Sequence, residues 1–378
     1  MYKVWGHETS DPVAGSSTAF FADKFFIFDG NVSHVPEDNT LRVDQAYATW
    51  SNIAGLPAWF SVGRRPSTGG IPTNLRQGVE RAGSSGVPGL LIDYAFDGAT
   101  LGVAPDVDAL PGAYAKLCYG KGFDSGFRPN NGIEDVDFWG FNVVPYDTDN
   151  LHVELQWDRA IDIFAVPEDR YSSMFGASNT NLGDIDQYGI TVTGKIEKLG
   201  IGDLNLFASA AMSKTHPNDN LFAVGTPFGP MGVAGLMYDA PALGGEKESR
   251  TGSAFYVGAR YDITSTGTKL GVEYNHGSKY WLTFAPASDD MWTAKLGTHG
   301  DVWEVYAIQD IRSKAISKLG RAQFRLGYQN YNFKYTGSNN WVGEPKKISD
   351  LDEDPMNAQM FTPLKKAHDI YLIFDVFF

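Results

Sequence analysis

A single cysteine, Cys118, occurs in the 378 residues, so no internal disulfide can form and a cysteine-rich metal site is excluded. Without a CxxCH motif the chain is not a c-type haem protein in its own right. No apolar run approaches the roughly 18 residues of a helical membrane span. Basic residues are in deficit, 31 Lys and Arg against 45 Asp and Glu. The resulting formal charge of −14 argues against nucleic acid, which needs a basic footprint, and reads as a solvated acidic surface. No Pro/Ser linker, charge block or low-complexity run marks a boundary, so residues 1–378 read as one domain.

Reaction motifs are missing as well. There is no GxSxG elbow, HExxH pair, GxxxxGK loop or complete EF-hand. His7, His34, His152, His216, His276, His299 and His368 are scattered without ligand spacing. Asp147-Thr148-Asp149-Asn150 begins like a calcium loop but lacks the downstream Gly and Glu, so it reads as a turn. The acidic run Asp350 to Asp354 reads as a solvated face, with a divalent-cation site on the outer surface as the alternative. No enzyme activity, catalytic residue, metal site or cofactor is predicted. The opening Met1-Tyr2-Lys3-Val4-Trp5-Gly6-His7-Glu8 has no signal-peptide pattern and looks like the middle of a strand. The expectation is a start placed at an internal methionine, with a signal peptide and first segment missing.

What is present is amphipathic strand. In the last eleven residues, His368, Ile370, Leu372, Phe374, Val376 and Phe378 share one face, and Asp369, Tyr371, Ile373, Asp375 and Phe377 the other. An apolar face against lipid and a polar face against a lumen explain this ending, which resembles the closing strand of bacterial outer-membrane barrels. Tyr371, Phe374, Val376 and Phe378 are the expected assembly signal for the barrel-insertion machinery. The period-two pattern recurs. Leu151, Val153, Leu155, Trp157, Ile161 and Ile163 oppose His152, Glu154, Gln156, Asp158, Ala160 and Asp162 on a strand too long for most sandwiches. Similar faces run through Tyr188–Ile196, Leu204–Met212, Phe255–Tyr261, Leu270–Tyr274, Trp303–Ile311 and Ala322–Tyr328. Leu41–Trp50 and Ala58–Arg65 form a hairpin, Ala113–Tyr119 a strand, and Leu90–Val103 one strand kinked at Asp97-Gly98 or two short strands.

Connections alternate in length. Those near residues 53, 147, 200, 265 and 316 are short, whereas 66–88, 166–184, 215–251, 277–300 and 336–366 are long, as in barrels with short periplasmic turns and long outer loops. The predicted fold is all-β: a transmembrane antiparallel up-and-down barrel with about 14 strands visible, which a longer chain would bring to 16. Trp5, Trp50, Trp59, Tyr146, Trp157, Tyr188, Tyr261 and Trp303 suit interfacial girdles.

Three stretches carry a further likeness: Asp44-Gln45-Ala46-Tyr47-Ala48-Thr49-Trp50; Gly63-Arg64-Arg65-Pro66 followed by Gly70-Ile71-Pro72; and Tyr94-Ala95-Phe96-Asp97-Gly98-Ala99. The whole chain resembles an uncharacterised family of porin-like outer-membrane proteins from Gram-negative, often metal-respiring bacteria. The resemblance implies location and architecture and supplies no catalytic residue.

The leading functional expectation is a passive channel with a water-filled lumen for small ions or solutes, integral to the outer membrane and in contact with its lipid and lipopolysaccharide. Arg42, Asp44, Arg64, Arg65, Glu154, Asp158, Lys195, Arg260, Glu273, Arg321, Arg325, Asp369 and Asp375 are the expected lumen residues. The loop Arg65 to Pro88 is expected to fold inside, its Arg76 and Arg81 with Arg64 and Arg65 facing carboxylates such as Glu154 and Asp158 across the pore. A second reading makes the protein a sheath or docking partner for an electron-carrying cytochrome. A third is a secreted carbohydrate-binding β protein with Trp platforms, which lumen-like rows of mixed charge disfavour. The sequence sets no oligomeric state.

Overall fold

A computed structural model describes residues 2–4, 41–43, 45–65, 67, 69–79, 88–93, 96–122, 136–164, 180–226, 229–285, 294–311, 320–352 and 365–377. Two short strands, β1 (Tyr2–Val4) and β2 (Leu41–Val43), pair with each other. The remaining wall is one antiparallel sheet of 13 strands. Its first half comprises β3 (Ala46–Ser51), β4 (Ala58–Arg65), β5 (Phe96–Val103), β6 (Tyr114–Lys121), β7 (Asp137–Asp147) and β8 (Leu151–Phe164). It continues through β9 (Asn181–Leu199) and β10 (Gly202–Pro217). A separate small sheet, β11 (Phe222–Thr226), β12 (Gly229–Gly235) and β13 (Tyr238–Asp239), interrupts the order. The wall resumes with β14 (Thr251–Ile263), β15 (Thr268–Gly277), β16 (Gly300–Ile311), β17 (Arg321–Phe333) and β18 (Lys366–Phe377). The up-and-down order is the one expected, with β1 standing outside the sheet as the fourteenth predicted strand. The extra small sheet lies in a stretch expected to be loop.

Alternation along each strand fixes the wall's two faces. Ile370, Leu372, Phe374 and Val376 point outward, Leu372 at 70 % exposure, while Asp369 and Tyr371 between them are buried. The same holds on β17, where Phe324, Leu326 and Tyr328 are exposed and Gln323, Arg325 and Gln329 are buried. An exposed apolar belt around a polar interior inverts the rule for a soluble core, and lipid is the environment in which it is stable. The protein is an integral barrel of the outer-membrane type. Outside the belt, toward the long connections, the outward face turns ionic: Arg64 pairs with Asp97 at 2.9 Å, Lys121 with Asp137 at 2.6 Å and Arg159 with Asp184 at 2.7 Å.

The inner face has its own packing device. Gly102, Gly258, Gly271 and Gly327 lie opposite Trp59, Phe207, Tyr306 and Tyr371 on neighbouring strands. Each aromatic ring covers its glycine so closely that an added Cβ would come within 2.1 to 2.5 Å of it. The large ring and the missing side chain form one cross-strand unit.

Three expectations change here. Trp59 lies on the inner face over Gly102, edge-on to Tyr114 at 6.3 Å, and so is not a girdle residue. Ile163 is fully buried because the β8–β9 register shifts between Ala160 and Ile163, with Asp162 at φ 63°, and a one-residue insertion reverses the facing of the residues after it. Leu90, Leu91 and Ile92 are not wall: the strand begins at Phe96, runs through Asp97-Gly98 without a hairpin, and those three residues are buried inside.

Candidate functional site: a clasped segment above an acidic vestibule

The lumen expected to be water-filled is packed in its outer half. Leu90, Leu91, Trp281, Phe284, Leu296 and Trp341, all from connections that fold inward, cluster with wall residues Phe138, Phe164, Leu182, Ile185 and Tyr256. Trp281 is completely buried and donates its Nε1–H to Leu296 O at 2.8 Å, and Trp341 donates to Phe164 O at 3.0 Å. Indole rings packed this way keep their polar edge satisfied while the ring excludes water.

Below this core lies the segment between β4 and β5. One short helix, α1 (Thr73–Arg76), follows Pro72 and stops at Gly78, whose φ of +74° suits glycine. A helix end leaves carbonyls without intrahelical donors. Here the wall supplies the donors. Arg260 reaches Leu75 O at 2.6 Å, Arg325 reaches Arg76 O at 3.2 Å and Gln323 reaches Gln77 O at 2.9 Å. Lys269 and Arg321 both donate to Gly78 O at 3.3 Å. Charged donors make the stronger of these bonds.

The segment answers with one cation. Arg76 Nε donates to Glu304 Oε1 of β16 at 2.7 Å, and the Glu304 side chain is fully buried. Glu304 also accepts from Lys295 Nζ at 2.5 Å, from Gln329 Nε2 at 3.2 Å and from the Tyr371 hydroxyl. Lys295 bridges at 2.5 Å to Glu273, which in turn accepts from the Tyr256 hydroxyl. Buried charges survive only when paired this fully.

Toward the short connections the lumen opens into a cavity of about 950 Å³. Its roof is Ile71, Asn74 and Leu75, and its sides include the turns at 148–150 and 264–267. Seven carboxylates line it (Asp147, Asp149, Glu154, Glu197, Asp203, Asp262 and Asp310) with two lysines, Lys195 and Lys269. No group of three or more His, Cys, Asp or Glu among the described residues is placed to hold a metal ion.

Of the residues expected to line the lumen, Glu154, Asp158, Lys195, Arg260, Glu273, Arg321, Arg325, Asp369 and Asp375 lie on the inner face. Arg64 does not: it shares the outward face of Phe60 and Val62 and pairs with Asp97. Arg65 and Arg42 lie in strands, but their side chains, like Asp44, Arg81 and Phe378, fall outside the described residues. The assembly residues divide: Phe374 and Val376 face outward, whereas Tyr371 is turned into the lumen onto Glu304. The inward loop docks where it was not expected to. Arg76 meets Glu304 on β16, while Glu154 bonds to Asn142 at 2.6 Å and Asp158 is buried beside Phe138 and Gln156. Glu304, Lys295 and Asn74 were missed, while Lys269 and Gln323, legible on the polar faces of their strands, were not singled out. The face of Glu304, between Trp303 and Val305, was readable too; its partners Arg76 and Lys295 come from distant connections.

The family model described as a protein of unknown function (DUF3373) matches residues 1–378. The chain belongs to that family. A search of curated proteins gives no match. Among solved structures, outer-membrane expressed OmpT of Vibrio cholerae is 16% identical with a TM-score of 0.38, over 77% of this chain and 73% of that one. Wzi of Escherichia coli, described as an outer-membrane, carbohydrate-binding β-barrel involved in group 1 capsule assembly, is 10% identical with a TM-score of 0.32, over 76% and 66%. Both are distant likenesses.

Proposed function

We propose that the protein is a porin-like outer-membrane channel for small ions or solutes, closed by the segment Ile71–Val79 and opened when that segment leaves the wall. The observation that carries this reading is the clasp itself. Five side-chain donors and one ion pair hold α1 against β14–β17. Hydrogen bonds of this kind exchange for water at a net cost of about 1.5–3 kcal/mol each where the donor is charged and about 0.5–1.5 kcal/mol where it is neutral, so a polar clasp next to a wet cavity can let go.

The filled lumen weighs against a sheath, because a cytochrome would need the space that the core around Trp281 occupies. The exposed apolar belt weighs against a secreted sugar-binding protein. The ionic outward ends of β4 to β9 suit the phosphorylated headgroups of lipopolysaccharide, which we propose as their surroundings.

Planar-bilayer recording tests the reading. Wild-type protein should give rare, brief openings, and Arg76→Gln should raise the open fraction severalfold. Silence from both, in protein that migrates as a folded barrel, would remove the channel reading.

A further inference from the structure

We infer that the vestibule binds a linear polyamine: a small organic cation with several ammonium groups separated by methylene chains. This names the solute class of the channel proposed above and rests on that reading for its biological sense. Three observations point to that chemistry.

The first is an excess of negative charge. The seven carboxylates share three cations and one imidazole: Lys195 answers Glu197 and Asp203, Lys269 answers Asp310, Arg260 answers Asp262, and His152 lies by Asp147 and Glu154. Asp149, exposed on its turn, has no ion-pair partner among the described residues. A low-dielectric concavity with this excess concentrates cations.

Dispersion is the second. Although seven carboxylates share the cavity, no three lie close enough to hold a metal ion among the described residues. A point charge cannot satisfy sites spread over about 950 Å³, whereas an extended polycation can. Among the polar groups the lining also carries apolar side chains, Ile71, Leu75, Tyr114 and Ile263, against which methylene segments can lie.

The third is Asn74, in the roof and 97% buried, its residue being 3% exposed. Its Nδ2 is anchored on Val79 O at 3.1 Å, which fixes the amide plane. Its Oδ1 accepts no hydrogen bond among the described residues. An acceptor held this way at the closed end of an acidic cavity is matched by an N–H donor that reaches past the carboxylates. A terminal ammonium does so, with Asp149 at the rim receiving the other end.

Isothermal titration of the full chain in detergent with spermidine tests the inference. Saturable binding of one spermidine per chain is expected, undiminished by an equal concentration of Mg²⁺. Asn74→Leu should weaken it about tenfold or more, the usual effect of losing a hydrogen bond to a charged group. Asp149→Asn, on an exposed turn where folding is not at stake, should weaken it a few fold. Absence of saturable binding, displacement by equimolar Mg²⁺, or an Asp149→Asn variant with unchanged affinity would overturn the inference. Because titration needs no current, a protein that binds spermidine but never conducts defeats the channel reading alone, and one that conducts without binding defeats this one alone.

Discussion

Arg76 and Glu304 are 228 residues apart in the chain and 2.7 Å apart in the barrel, Nε to Oε1. That pair is the ionic half of the clasp, but not the keystone of the buried network. Glu304 keeps Lys295 at 2.5 Å and Tyr371 when Arg76 is removed, whereas removal of Lys295 deprives both Glu273 and Glu304 of their shared cation. Lys295→Met should therefore destabilise the barrel by about 3–5 kcal/mol, the cost of an orphaned buried charge, and Arg76→Gln by about 1–3 kcal/mol. Urea unfolding of vesicle-reconstituted variants checks the order. Arg76→Gln proving the more damaging would mean that the segment supports the wall rather than resting on it.

Gly327 sits under the Tyr371 ring, where an added Cβ would stand 2.1 Å from Cζ. Gly327→Ala should push the ring off its neighbour strand, break the bond from Tyr371 to Glu304, and cost about 1–3 kcal/mol as an overpacked core position does. The companion Tyr371→Phe keeps the ring and loses only the hydroxyl, so it should cost less. Equal losses would show that the hydroxyl, not the fit of ring to glycine, is what matters.

The two faces of the wall make opposite demands. Leu326 is exposed to lipid in mid-strand, and Thr193 lines the vestibule. Leu326→Arg should cost up to about 2–4 kcal/mol, the penalty of a cation at the bilayer midplane, and Thr193→Arg should cost little. Heat-modifiable migration and the urea midpoint in vesicles report both. A larger penalty for Thr193→Arg would reverse the assignment of faces.

Alternation made these faces readable, and it served as long as the strand was regular. On β8 it served from Leu151 to Ile161 and then failed at Ile163, because one residue with positive φ, Asp162, resets the facing and leaves no mark in a period-two pattern. Leu90, Leu91 and Ile92 misled for a related reason: a short apolar run has the same composition in a wall strand and in an inward-folded plug. The Gly- and Pro-rich loop before them could be placed inside on polarity alone. Its docking partner could not, since α1 is held by donors from β14, β15 and β17, and contacts at that chain separation leave no local signal. Arg64 was within reach of the pattern, as Phe60 and Val62 four and two residues before it already face lipid.

At the outer end, Glu344 accepts from Lys279 Nζ and from the Tyr280 hydroxyl, both at 2.7 Å, joining two inward connections. Burial disfavours its charged form, but the bonds from Lys279 and Tyr280 and the charges of Lys279 and Lys346 outweigh this and hold its pKa at about 2, down from 4.5. A carboxylate with a depressed folded pKa contributes stability that is complete above its unfolded value and is lost as pH falls through the folded one. Protection against hydrogen exchange in residues 278–285 and 334–347, taken relative to the intrinsic exchange rate at each pH, should therefore fall between about pH 4.5 and pH 2. Glu344→Gln should flatten that dependence. A wild-type profile that stays flat across the same window would rule out the clasp at Glu344.

The most direct test of the gate ties it shut. Gln323 Nε2 donates to Gln77 O at 2.9 Å, which puts the segment and the wall side by side at that point. In a Cys118→Ser background, Gln77→Cys with Gln323→Cys puts one thiol on the segment and one on the facing strand, to be bridged by a short bis-methanethiosulfonate reagent, and single-channel recording follows the same protein before and after reduction. Openings should be absent while the cross-link is intact and should return when a reductant is added. Identical currents in the oxidised and reduced states, with the cross-link verified by mass, would show that Ile71–Val79 does not gate the barrel.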